Sequence, residues 1–210
     1  MKEYRPDWAA EGQDMLRPLI IEGMGKSAKA LSLMMGKEMT IEAATMELQP
    51  ISTVPCMVGD PEEIVAAAYL TVEGNLAGHV MLFFPLGNAL SMIDILLDLP
   101  QGSTVELEEL ERSALGEAGN VMGSAFLNHL AETTSLCCRP SPPAVIEDMA
   151  GAVLSIILTE AARYGNDVLV METVFSSSEG NVKGHFWVVP TPELLQAMVS
   201  ADLKHPGVHA

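Results

Sequence analysis

Glu73-Gly74-Asn75-Leu76-Ala77-Gly78-His79 returns later in the chain as Glu179-Gly180-Asn181-Val182-Lys183-Gly184-His185. The Glu, Gly, Asn, second Gly and His agree at the same internal spacing. Each copy follows an apolar run (Val65 to Val72; Val168 to Phe175) and precedes another (His79 to Phe84; His185 to Val189), and each leads to a proline, Pro85 or Pro190. Asn and Gly tolerate positive φ, so each copy reads as a β-hairpin closed by a Gly-Asn turn. The chain is an internal repeat.

Working outward, a helix follows each hairpin, over Gly87 to Leu97 and over Thr191 to Leu203. Thr191 is placed as an N-cap with Pro192 in the first turn. A long helix precedes each hairpin. The first runs from near Asp14 to Met35 and stops at Gly36, a C-cap; the second runs from about Glu106 to Ala131. The second half adds a helix over Glu147 to Arg163. Segments 49–62 and 133–143 lack periodicity and read as strand-plus-loop connections. The expected architecture is α+β with a pseudo-twofold internal repeat (about 14–100 and 104–203) forming a single domain over 1–210. The strands of both halves join in a shared antiparallel β-sheet, with the two long helices packed on one face and shorter helices beside them.

Nearly half of the 210 residues are hydrophobic, enough for a substantial core. The apolar stretches, such as Ala150 to Leu158, are too short to span a bilayer, and with no apolar h-region after Met1-Lys2-Glu3-Tyr4-Arg5 no signal peptide is expected. A cytoplasmic location is expected. A net charge of −17 opposes nucleic acid and anionic membrane surfaces as partners. Cys56, Cys137 and Cys138 have neither zinc-knuckle spacing nor an even count, and free thiols are expected, the vicinal pair buried at a strand start. The five histidines are scattered and no metal site is expected. His79 and His185 recur at equivalent strand positions, which points to a structural role, and His129 falls towards the apolar side of its helix. Met34, Met35, Met81 and Met92 read as core filler. Gly25-Lys26-Ser27 has the ending of a phosphate-binding loop, but Ile20 stands where the opening Gly belongs and the segment lies within a helix.

The second long helix carries the chemistry. Ser113, Glu117 and Asn120 stand at i, i+4 and i+7, within ~60° of one another at ~100° per residue, and Ser124 continues the stripe. The apolar set Leu107, Leu110, Leu115, Ala118, Val121, Met122 and Ala125 is expected to point elsewhere. A carboxylate and a carboxamide are thus held side by side on the outer face of a rigid element. Gly116, Gly119 and Gly123 flank the stripe at a cost of ~1 kcal/mol each in helix stability. Two accounts stay open for them: close packing of the two long helices, or close approach of a partner's backbone.

Ser113-x3-Glu117-x2-Asn120, followed after 22 residues by Pro143, resembles the active-site motif of the CheC/CheX/FliY group of chemotaxis phosphatases. Pro142 to Ala152 and Val168 to Thr173 resemble CheC as well, and the likeness runs from about Asp14 to Leu203. Such proteins commonly carry the motif twice. Aligned through Gly23 to Ser32, this chain has Asp14, Pro18 and Ile21 at the first motif's positions, so the first site is degenerate. Pro18 sits in the first turn of its helix or kinks it. The resemblance implies a phosphatase for the aspartyl phosphate of a CheY-type response regulator, with no cofactor of its own because the regulator brings Mg²⁺. A carboxamide that both accepts and donates suits Asn120 to positioning water, and Glu117 is expected to pair with the regulator's Lys, as its role in the family implies. Ser113, Gly116 and Ser124 are candidate partner contacts, with Ser113 orienting the helix or touching the partner. The resemblance also leaves room for a non-catalytic adaptor binding a receiver domain or CheD, and for a homodimer in the CheX manner.

Overall fold

The computed structural model describes residues 11–74, 77–134, 137–177 and 182–196, with backbone alone at 11–15 and 74. The elements in order are α1 (Glu11–Met35), β1 (Thr40–Pro50), a 3-10 turn (Val54–Cys56), β2 (Ile64–Gly74), β3 (Gly78–Pro85), α2 (Leu86–Leu96), α3 (Glu109–Thr134), β4 (Cys138–Pro140), β5 (Ala144–Met149), α4 (Ala150–Ala161), β6 (Asp167–Ser177) and β7 (Val182–Pro190). A further helical turn occupies 192–196. The strands form one seven-stranded sheet in the order β1-β6-β7-β3-β2-β4, with β5 also paired to β2. Every pairing is antiparallel.

The register shows how the repeat builds the sheet. Met81 and Trp187, each two residues beyond the repeated histidine, pair with each other across β3 and β7. The pseudo-dyad passes between them. The outer strands are exchanged: β1, from the first half, pairs with β6 of the second, while β4 and β5 pair with β2 of the first. The two Gly-Asn turns fall at 74–76 and 180–182, largely outside the described residues.

One sheet face carries α1, α2 and α3 over a core that includes Leu16, Met24, Leu70, Phe84, Met122, Phe126 and Phe186. The opposite face is covered in part by α4, over Phe83, Val170, Trp187 and their neighbours. The long helices therefore lie together on one face, as expected. Gly36 ends α1 at φ +63°, and the Lys37 amide donates to Ser32 O at 3.2 Å, closing a C-cap in which glycine takes the left-handed conformation. Thr191 accepts the Leu194 amide on Oγ1 at 3.5 Å, the N-cap placed from the sequence; the remainder of that helix lies outside the described residues. The helix expected over 147–163 is shorter, because Glu147 to Met149 complete β5 against Ile64 to Ala66. Met35, Met81 and Met92 are buried and Met34 partly so. Cys138 is buried, but Cys137 is exposed, so the vicinal pair is not a buried pair; all three thiols are free.

The three α3 glycines face neither α1 nor a partner. A Cβ on Gly119 would lie 2.5 Å from Ala68 Cβ on β2; on Gly123 it would meet Val80 and Leu70; on Gly116 it would meet Val145 and Pro143. They let α3 lie down on the sheet. The α1–α3 approach is made by Gly23, whose Cβ would reach His129 and Phe126 at 3.0–3.1 Å, and by Ser27, whose hydroxyl donates to Met122 O at 3.0 Å.

His129 is buried at that crossing, 4% exposed. Its Nε2 lies 3.2 Å from Leu19 O, so that nitrogen carries the proton and Nδ1 accepts from Lys26 Nζ at 2.8 Å. Burial, then the Lys26 charge, push its pKa down, against the opposing carboxylates of Glu22 and Glu132. Burial lowers His79 too. The unfolded chain takes up these protons near pH ~6.5 while the folded chain resists them. Their contribution is thus complete above that pH and is lost as pH falls through the lowered folded values. Urea unfolding should show lower stability at pH 5.5 than at 7.5, and His129→Gln should flatten that slope.

Candidate functional site

The start of α3 is fixed before the site begins. Asp94, buried at the end of α2, accepts the amides of Gly102 at 2.6 Å and Thr104 at 2.9 Å. Burial alone would raise its pKa, but donation from Thr104 and from the Gly102 and Ser103 amides outweighs it, and the carboxyl stays ionised below its ordinary range. The connection from α2 is held by that charge. Arg112 then donates through Nε to Leu107 O at 2.9 Å and through Nη2 to Glu147 Oε2 at 2.8 Å, tying the first turn of α3 to β5. The pattern of charges in the sequence did not single out Arg112, since its partner Glu147 was assigned to a helix.

On this base α3 turns Ser113 and Glu117 to solvent, with Asn120 and Ser124 half-buried beside them. Asn120 Nδ2 donates to Glu117 Oε2 at 3.4 Å, a long contact that holds the carboxamide near the carboxylate and leaves Oδ1 as an acceptor. Pro143 closes one flank: its ring would lie 3.4 Å from a Cβ on Gly116, so the proline after the 22-residue gap does reach the motif helix. Gly116 is itself buried under Pro143 and Val145, which makes it a seat for the β4–β5 connection and not part of the surface. Leu107, Leu115, Ala118 and Met122 are buried as expected, but Leu110 is 61% exposed.

The corresponding stretch of α1 has no such pair. Pro18 lies in the helix interior and not in its first turn, because α1 is already helical at Glu11. Lacking an N–H, it cannot donate to the Asp14 carbonyl. Pro18 is exposed and Ile21 is 43% exposed; the Asp14 side chain lies outside the described residues. Glu22, the nearest carboxylate, is turned to Lys26 at 3.5 Å and lies 4.0 Å from His129. It does not replace the missing acid.

His79 and His185 are bound within the sheet. His79 Nδ1 lies 2.8 Å from Tyr69 Oη, and His185 Nδ1 lies 2.7 Å from Glu172 Oε1, which also accepts Trp187 Nε1 at 3.0 Å. Gly25-Lys26-Ser27 lies within α1, with Lys26 in the Glu22/His129 network. Among the described residues no three His, Cys, Asp or Glu side chains converge as a metal cage, and no helix is long and apolar enough to cross a membrane.

A carboxylate and a carboxamide on an open helix face cannot exclude water or enclose a small substrate. Sites for small molecules are concave and cover most of their ligand. This pair instead suits the edge of a reaction whose other half is carried by a docking protein.

Comparison with known proteins gives the fold and the family. The fold is that of the FliY of Thermotoga maritima, known from its crystal structure, at a TM-score of 0.72 with 23% identity over 93% of this chain and 97% of that one. It is also that of FliM in its complex with SpeE from H. pylori, at a TM-score of 0.65 with 12% identity over 95% and 98%. The CheC-like family profile matches residues 110–147, the segment from the start of α3 through Pro143 to β5. The CheY-P phosphatase CheC of Bacillus subtilis (strain 168) is 31% identical over 184 residues, 86% of this chain and 88% of that relative. The chain belongs to the CheC-like family.

Proposed function

We propose that this protein is a chemotaxis phosphatase that removes the aspartyl phosphate from a CheY-type response regulator in the cytoplasm, with Glu117 and Asn120 as its site. The observation that carries the reading is the solvent-facing Glu117 carboxylate with the half-buried Asn120 carboxamide beside it, on a helix seated against the sheet. The relative named as a CheY-P phosphatase supports it.

An acyl phosphate is already activated, and its hydrolysis passes through a loose transition state, so catalysis reduces to positioning and charge stabilisation. Water attacks phosphorus in line. Its oxygen forms the new P–O bond as the bond to the regulator's aspartyl oxygen breaks, and the electron pair stays on that carboxylate. The water proton leaves with inorganic phosphate or to solvent. Asn120 Oδ1 accepts a hydrogen bond from the water and Nδ2 donates to its surroundings, which fixes the line of attack. Glu117 pairs with the regulator's active-site Lys and locks the docked geometry. Ser113 and Ser124, on the same stripe, touch the partner. Mg²⁺ would be held by the regulator, where it would neutralise phosphoryl charge, and this reading calls for no cofactor on this chain.

A second reading is an adaptor that binds a receiver domain, or CheD, without useful hydrolysis. The degenerate stretch at Pro18 and Ile21 favours it, since half of the expected machinery is gone. Decay of a phosphorylated receiver with Mg²⁺ present separates the two. Wild type should accelerate decay, and Glu117→Ala should lose most of that acceleration together with affinity for the receiver. Wild type that binds the receiver and leaves its decay unchanged would hand the protein to the adaptor reading.

A further inference from the structure

Leu110, in the first turn of α3, is 61% exposed, and Val105 ahead of it is 78% exposed. Leu110 precedes Glu117 by seven residues, so two helical turns bring the two to within about 20° of the same direction. Leu110 is therefore the first member of the stripe Ser113, Glu117, Asn120, Ser124. Glu106, Glu108 and Glu109, just ahead of it in sequence, are exposed. The helix dipole accounts for acids in the first turn of α3, such as Glu109. Glu108 sits at the N-cap, its carbonyl accepting the Arg112 amide at 3.0 Å, and is accounted for in the same way. Neither capping nor the dipole accounts for Glu106, ahead of the helix, or for a leucine left in water while Leu107 and Leu115 on either side are buried.

We propose that Leu110, with Val105, is the apolar anchor on which the receiver domain docks, and that Glu106, Glu108 and Glu109 draw in a receiver whose contact face is basic around an apolar spot. The inference rests on the reading of Glu117 and Asn120 as a receiver-facing site. A polar pair alone makes a poor docking surface, because its contacts with a partner replace equally good contacts with water. A large apolar side chain at the edge of the pair supplies the surface whose burial holds the complex. The acidic rim acts earlier, raising the encounter rate at long range and setting orientation. The charge of the whole chain works in the same direction.

The test uses full-length wild type, Leu110→Ala and the triple variant Glu106→Gln/Glu108→Gln/Glu109→Gln, with a receiver domain phosphorylated by acetyl phosphate and the same receiver loaded with beryllofluoride. Leu110→Ala should raise KM for the phosphorylated receiver about tenfold, equivalent to about 1.4 kcal/mol, and leave kcat within about twofold. Its dissociation constant for the beryllofluoride form should rise in parallel, with the unfolding midpoint unchanged. The triple variant should bind more slowly and lose most of its salt dependence. An active wild type with KM and affinity untouched by Leu110→Ala overturns the anchor and leaves the phosphatase reading standing. So does a variant that turns a dimer into a monomer without moving KM, since the leucine would then serve a second copy of this chain. If wild type binds without hydrolysis, the dissociation constant alone decides. Wild type that neither binds nor hydrolyses brings down the reading of the site, and the anchor with it.

Discussion

Asn120→Ala should return the decay of the phosphorylated receiver to its spontaneous rate, at least about a hundredfold below wild type, the usual loss when one positioned polar group is removed. Binding of the beryllofluoride-loaded receiver should stay within about threefold, because Asn120 is half-buried and its hydrogen bond to Glu117 is long. Stability should hold or rise slightly, since alanine is the better helix former. Asn120→Asp is the sharper variant. It keeps size and the acceptor but loses the donor, and it places a second negative charge beside Glu117 and the incoming phosphoryl group. Catalysis should fail as completely as with alanine. Asn120→Ala retaining the wild-type rate would remove water positioning from the mechanism.

Gly119→Ala should destabilise the protein by about 1–3 kcal/mol, although it improves local helix propensity by ~1 kcal/mol. The added methyl would sit 2.5 Å from Ala68 Cβ. Ala68 has no rotamer to change and lies on β2, between β3 on one side and β5 on the other. The helix must lift by about 1 Å, yet it is held by Gly23 and Ser27 of α1 and by Phe126, which meets Phe186 edge-on at 6.2 Å. Residue 119 lies between the two members of the site, so phosphatase activity should fall with stability. Two further variants probe the same contact. Ala68→Gly should restore most of the loss when combined with Gly119→Ala, while Gly25→Ala, with nothing within 4 Å of its new Cβ, should stabilise by up to ~1 kcal/mol. Denaturant unfolding of wild type and the three variants measures these differences. A Gly119→Ala chain as stable as wild type would mean that α3 does not rest on β2 as described.

The hairpins, the long helices and the Gly36 cap were legible because each is written locally, in alternation, in Gly-Asn pairs and in a glycine that follows a helical run. The Glu117–Asn120 face was legible for the same reason, since helical spacing fixes direction. Contacts between distant segments were not. Nothing near β1 says that it will lie beside β6, and nothing in Gly116 or Gly119 names Pro143 or Ala68 as the neighbour. Val145 to Ala152 is apolar enough for strand or helix, and the pairing of Glu147 with Ala66 across β2 decided for strand up to Met149. Pro18 was left between the first turn and the helix interior because no residue ahead of it marked where the helix begins. Leu110 was grouped by residue type with the side chains pointing away from the stripe, although its seven-residue distance from Glu117 already placed it on the outer stripe.

The exchange of outer strands bears on how the chain is made. Thr40 pairs with Ser176, and among the described residues β1 has its sheet neighbour only in β6. During synthesis β1 emerges long before that neighbour exists. The β2–β3 hairpin forms early from local contacts, but its flank stays open until β4 and β5 arrive, and β1 must wait still longer. An unpaired strand beside an incomplete sheet is what chaperones bind and what aggregates form from. Closure therefore comes late and all at once, with the motif helix made but unsupported at its β4–β5 flank until the second half has folded. A ribosome-bound first half should carry no trace of the finished surface.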